Sequence, residues 1–100
     1  MIRKRSDIRP AMLKYRLPEY MVDGMDLYLF HRLAPGDFMR SMLENNFKMA
    51  CIRADSQNRR LLVEWADFLI NAIPHIAWGC ESRVKNWVAG KHPDTMQQKE

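Results

Sequence analysis

Breakers set the first limit on what this chain can become. Of its five prolines and four glycines, Pro18, Pro35, Gly36, Pro74, Gly79, Gly90 and Pro93 separate stretches in which apolar residues recur at spacings of three and four. Strand-like alternation is sustained nowhere, so the pattern predicts an all-α fold. The first helix is expected from about Pro18 to Leu33, with Pro18 suited to a first turn whose N–H would be unpaired anyway. Gly24 weakens that helix by roughly 1 kcal/mol relative to alanine. "LAPGD" ends it, and a second helix is expected from about Asp37 to Ala54. Its polar side carries Asp37, Arg40, Ser41, Glu44 and Lys48, and its apolar side carries Met39, Met42, Leu43, Met49 and Ala50, with Asn46 falling on the apolar stripe. Asp55 or Ser56 caps a third helix that runs to about Ile73, where Pro74 removes a donor and stops it. Leu62, Trp65, Ala66, Leu69 and Ile73 mark its buried side; Arg60, Glu64, Asp67 and Asn71 mark its wet side. A short fourth helix, about Glu81 to Ala89, buries Val84, Trp87 and Val88. The expected architecture is a compact bundle of three main helices plus a short C-terminal helix, spanning residues 18–90. The polar tail 91–100 is expected to be disordered.

Composition bounds the function. One hundred residues make one domain, and 47% hydrophobic with 28% charged residues is ordinary globular usage. The formal net charge of +4 is unevenly placed. Residues 1–16 hold Arg3, Lys4, Arg5, Arg9, Lys14 and Arg16 against Asp7, a net +5, while the rest carries ten basic and eleven acidic residues, a net −1. Residues 1–17 therefore stand out as a basic N-terminal arm, which can fold back on Glu19, Asp23 and Asp26 or reach phosphates. No run approaches the roughly 20 apolar residues of a membrane span, and the N-terminus lacks the apolar core of a secretory signal. Cytoplasmic residence is the resulting expectation, with Cys51 and Cys80 as free thiols.

Most chemistry can be argued down. His31, His75 and His92 are scattered, and neither cysteine has a second within a turn, so no metal site is expected. Cys80 and His75 form the one close Cys–His pair, five residues apart in "IPHIAWGCESRV", with Cys80 where a helix cap would lower its pKa. No third residue that would orient them can be named, so no catalytic residue is assigned. The glycines lie too far apart for a phosphate loop. Asp23 and Asp26 read as solvated. A helix–turn–helix reading would use Arg83, Lys85, Asn86 and Lys91, but its joint "PHIAWGC" exceeds the usual 3–4-residue turn. The remaining possibility is protein contact. Met12, Met21, Met25, Met39, Met42 and Met49 all lie in the first half, and Tyr20, Met21, Met25, Tyr28, Met39 and Met42 are the candidate interaction residues for a protein partner or a second copy. The alternative is nucleic-acid contact through Arg3, Lys4, Arg5, Arg9, Lys14 and Arg16.

The stretches "LPEYMVDGMDLYLF", "PGDFMRSMLENNFKMACIRADSQN", "FLINAIP" and "WGCESRVKNW" resemble a type of small helical protein encoded by tailed phages and prophages. The resemblance rests on Pro18, Pro35, Gly36, Phe38, Asn45, Asn46, Ala54, Asp55, Asn58, Phe68, Leu69, Pro74, Trp78, Gly79 and Trp87. It departs at Cys80 and Glu81, where that pattern commonly has Ser-Pro. It brings no catalytic residues. It implies a phage accessory protein that acts in the cytoplasm of the host bacterium by gripping and modulating a host or phage protein, without a cofactor.

Overall fold

The computed structural model describes residues 1–90, and every regular element within them is helical. Seven α-helices occur: α1 Ile8–Lys14, α2 Val22–His31, α3 Asp37–Leu43, α4 Phe47–Arg53, α5 Ser56–Arg59, α6 Leu62–Ala72 and α7 Glu81–Val88. Single 3-10 turns precede α1, α2 and α7, at Arg5–Asp7, Glu19–Met21 and His75–Ala77. The all-α expectation holds, but the finer picture of three main helices and a short fourth does not. The expected disordered tail, 91–100, lies outside the described residues.

The basic N-terminal segment folds back on the chain, pairing Arg5 with Asp26 and Arg9 with Glu19, and its apolar residues enter the core. Asp7 accepts hydrogen bonds from the N–H groups of Arg3 and Lys4 at 3.0 and 3.1 Å and so starts the turn that leads into α1. Ile8 and Met12, one helical turn apart, are buried, as are Ile2 and Leu17 on either side. The Ile2 N–H donates to the Ala72 carbonyl at 2.8 Å and ties the start of the chain to the end of α6. Arg16 takes a left-handed conformation (φ 64°), which lets Arg16 and Leu17 donate to Leu13 and Met12 and satisfy the open end of α1.

The expected second helix is broken in the middle. Asn45 is left-handed (φ 61°), and Asn45 and Asn46 donate to Met42 and Ser41, closing α3. The Asn46 side chain then accepts from the Met49 N–H at 3.2 Å and opens α4. Asn46 is thus an exposed cap, where the helical period had placed it on a buried stripe. The expected third helix also divides. Asp55 caps α5 by accepting from the Asn58 N–H at 2.8 Å. Leu61 donates to Asn58, three residues back, and leaves helical geometry (φ −112°, ψ 20°) before α6 begins. This turn points the Asn58 side chain inward, where its Oδ1 accepts from the Trp65 indole at 2.9 Å.

Trp65 is the centre of the core. Phe38 and Phe68 stand edge-on to it at 5.7 and 5.9 Å between ring centroids, and Tyr15 of the N-terminal segment stands edge-on to Phe68. A second cluster locks α7 onto α2. Trp87 donates its indole N–H to the Tyr28 carbonyl at 3.0 Å, and the Tyr28 hydroxyl donates to the Ala77 carbonyl. The Arg32 guanidinium lies 3.8 Å above the Trp87 ring and donates to its carbonyl. Among the described residues no buried side-chain nitrogen or oxygen lacks a partner.

Candidate functional site

Of the sequence-derived interaction residues, Tyr20, Met21 and Met39 line one cavity of about 360 Å³, together with Phe38 and Asp55. Met25 and Tyr28 are 0% exposed and Met39 is 4% exposed, so these three belong to the core. Burial pushes the Tyr28 phenol well above its ordinary pKa, as its place inside the core requires. Tyr20 is exposed but donates its hydroxyl to Asp55 at 2.7 Å, bridging α5 to the turn before α2. Met21 is part-buried beside it. Met42 borders a different, more apolar surface, and that surface was not evident from the methionine count.

The surface is a groove of about 530 Å³ whose walls come from α3, α4, α6 and Trp78 of the hinge. Its origin lies in α6. At 100° per residue, Trp65, Phe68, Leu69 and Ala72 occupy the arc that faces the core. Leu62, Val63, Ala66 and Ile70 extend the apolar arc to about 220° of the circumference, where a helix on one core needs little more than 100°. Only Glu64, Asp67 and Asn71 fill the remainder. The α6 side of the groove is this surplus arc. On the opposite wall the first residue of α4, Phe47, projects beside its cap Asn46. Phe47, Val63 and Ile70 are 70, 72 and 54% exposed, an unusual density of large apolar side chains around one depression. The signal that would have found them was the apolar Val63 and Ile70 beside the wet-side residues of α6.

The other candidates resolve into structural roles or isolated groups. Cys80 is the N-cap of α7 and is exposed; the Ser82 hydroxyl, 3.3 Å from its sulfur, and the Arg83 N–H hold the thiol below its ordinary pKa. Among the described residues no hydrogen bond joins it to His75, and no three His, Cys, Asp or Glu residues are placed to hold a metal. Arg83, the first cation of the would-be recognition helix, turns back to donate to the carbonyls of His75 and Trp78, each at 3.2 Å. It serves the hinge, together with Gly79 (φ 118°), whose N–H donates to the Leu43 carbonyl at 2.7 Å. Of the six basic candidates, Arg5 pairs with Asp26 at 2.9 Å and Arg9 pairs with Glu19. Arg3, Lys4, Lys14 and Arg16 remain exposed and, among the described residues, form no ion pair. No described helix is long and apolar enough to cross a membrane. Compared with known proteins, the chain matches no family model, no curated protein and no solved structure.

Proposed function

We propose that the protein works by binding protein through the groove between α4 and α6, as a non-enzymatic accessory protein of the phage type that its sequence resembles, modulating a host or phage protein in the host cytoplasm. The observation that carries this reading is the surplus apolar arc of α6. A helix apolar over about two thirds of its circumference is the kind normally covered on both sides. Covering Phe47, Val63 and Ile70 would contribute roughly 3–6 kcal/mol before the costs of association, which supports a reversible contact more readily than a permanent one.

Affinity purification from expressing bacteria tests the reading. The wild-type chain should retain a stoichiometric protein partner, and Phe47→Glu and Val63→Glu should lose it while keeping the same helical content. Recovery of no stoichiometric protein, itself included, overturns it. A second reading rests on the four exposed cations Arg3, Lys4, Lys14 and Arg16, which suit contact with nucleic-acid phosphates. Its mark would be DNA or RNA binding that weakens steeply with salt and disappears when all four are replaced by Gln; a salt-insensitive or absent shift excludes it.

A further inference from the structure

We infer that the protein carries a second site, a cavity between the start of α2, the start of α3 and the junction of α4 with α5, that takes a free α-amino acid with an apolar side chain. This is the cavity of about 360 Å³ lined by Tyr20, Met21 and Met39, and it shares no lining residue with the α4–α6 groove. Two glycines open onto it that the backbone does not require. Gly24 lies inside α2, where glycine weakens a helix. Gly36 precedes α3 with φ −66° and ψ 173°, a conformation any residue adopts. A Cβ at Gly24 would meet only the tip of Met39, at 3.5 Å, and one at Gly36 would meet nothing within 4 Å. Neither glycine serves a left-handed turn or a close approach of two elements. What they preserve is the space itself.

Charge selects the ligand. One guanidinium, that of Arg53, and two carboxylates, those of Asp37 and Asp55, line the same cavity. Among the described residues Arg53 forms no ion pair and donates to the Ser41 hydroxyl at 3.0 Å. Asp55 accepts from the Tyr20 hydroxyl and the Asn58 N–H, and Asp37 meets only Arg40, at 3.5 Å. Opposite charges that share a cavity without pairing suit a ligand that bears both. An anion would face two carboxylates, a cation would face Arg53, and an apolar molecule would strip water from all three groups without replacing it. An α-carboxylate can take two N–H groups of Arg53, while the α-ammonium lies toward Asp37 and Asp55. The ligand side chain then rests on Met21, Phe38 and Met39, whose thioethers adapt to varied apolar shapes. A volume near the lower end of ligand pockets suits about ten non-hydrogen atoms rather than a nucleotide.

Titration of the isotope-labelled full-length chain with L-leucine, L-methionine and L-phenylalanine, followed by two-dimensional NMR, is the test. A saturable shift of the Gly24 and Gly36 amide signals is expected with at least one of the three. The amide of that amino acid, which lacks the carboxylate, and its N-acetyl derivative, which lacks the ammonium, should each bind at least about tenfold more weakly. Arg53→Gln and Asp37→Asn, both at exposed positions, should each weaken the free amino acid by a similar factor while the melting temperature holds. Gly36→Leu should fill the cavity and abolish the shifts, and Gly24→Ala should melt higher than wild type. The absence of a saturable shift with all three amino acids overturns the inference. So does equal binding of the amide or the N-acetyl derivative, which would mark the site as a receptor for a peptide end. A folded Gly36→Leu chain that still binds, or a Gly24→Ala chain that melts lower, overturns it as well.

Discussion

At the scale of the residue, polar groups inside the core carry more consequence than their number suggests. Asn58 accepts the Trp65 indole N–H in the middle of an aromatic cluster, and neither group can reach water. Asn58→Leu should cost about 1–3 kcal/mol in urea denaturation, because the indole N–H is left without an acceptor. Adding Trp65→Phe, which removes the orphaned donor, should cost less than the two single changes combined. Arg16 shows the opposite case. It occupies a left-handed position that glycine adopts freely, so Arg16→Gly should raise stability by up to about 1 kcal/mol, visible as a higher melting temperature. Three carboxylates set the acid limit. The N–H groups of Arg3 and Lys4 hold Asp7 below the usual carboxylate range, Arg5 does the same for Asp26, and the Tyr20 hydroxyl with the Asn58 N–H does so for Asp55. Their folded-state pKa values lie below those of the unfolded chain. The stability they contribute is therefore complete above the unfolded value, about 4, and is lost as pH falls through the lowered values. Melting temperature should drop below about pH 4, and Asp26→Asn should flatten that drop.

At the scale of the element, the punctuation whose chemistry is local could be read ahead. Asp55 as a cap, Pro74 as a stop and Cys80 as the start of the last helix all act through their own backbone, and all stand where the sequence put them. The breaks inside the expected second and third helices escaped for a different reason. The spacing of three and four continues through Met39, Met42, Leu43, Met49 and Ala50, with only Asn46 polar on the stripe, because α3 and α4 pack against each other and each buries one side. Periodicity does not register a change of axis between them. The pair Asn45–Asn46 does, since one asparagine tolerates the left-handed turn and the next caps the start of α4. Asn46→Ala should cost about 1 kcal/mol and fray the first turn of α4, loosening Phe47 at the groove rim; hydrogen exchange at Met49 would report it. At the hinge, Gly79→Ala should cost about 1–3 kcal/mol in chemical denaturation. The penalty is mostly in the backbone at φ 118°, since the nearest atom to an added Cβ, at 2.9 Å, is the movable end of Arg83.

At the scale of the whole molecule, charge obscured packing at the N-terminus, and packing absorbed three of the residues expected to bind. Six cations in sixteen residues made the first segment look like an arm, although Ile8 and Met12 within it already carried a helical spacing. Met25, Tyr28 and Met39 of the first half went inward, while Tyr20 and Phe47 stayed exposed. A core centred on Trp65 and Phe68 needs filling from α2 and α3, and Met25, Tyr28 and Met39 fill it. The surplus apolar surface arose instead on α6, which has more apolar circumference than the core can cover. The N-terminal segment approaches α6 from its other side, through the Tyr15 ring against Phe68, so the groove and the basic surface lie on different sides of that helix. The two surfaces can accordingly be probed independently, but not by deletion. Removing residues 1–17 takes Ile2, Ile8, Met12 and Leu17 out of the core and frees the Ala72 carbonyl. At about 1.5–3 kcal/mol for each fully buried aliphatic side chain, the loss of roughly 6–12 kcal/mol matches the entire stability of a domain this size. The truncated chain should show no cooperative thermal transition by circular dichroism. The quadruple Gln variant of Arg3, Lys4, Lys14 and Arg16, which touches only exposed side chains, should melt within a few degrees of wild type.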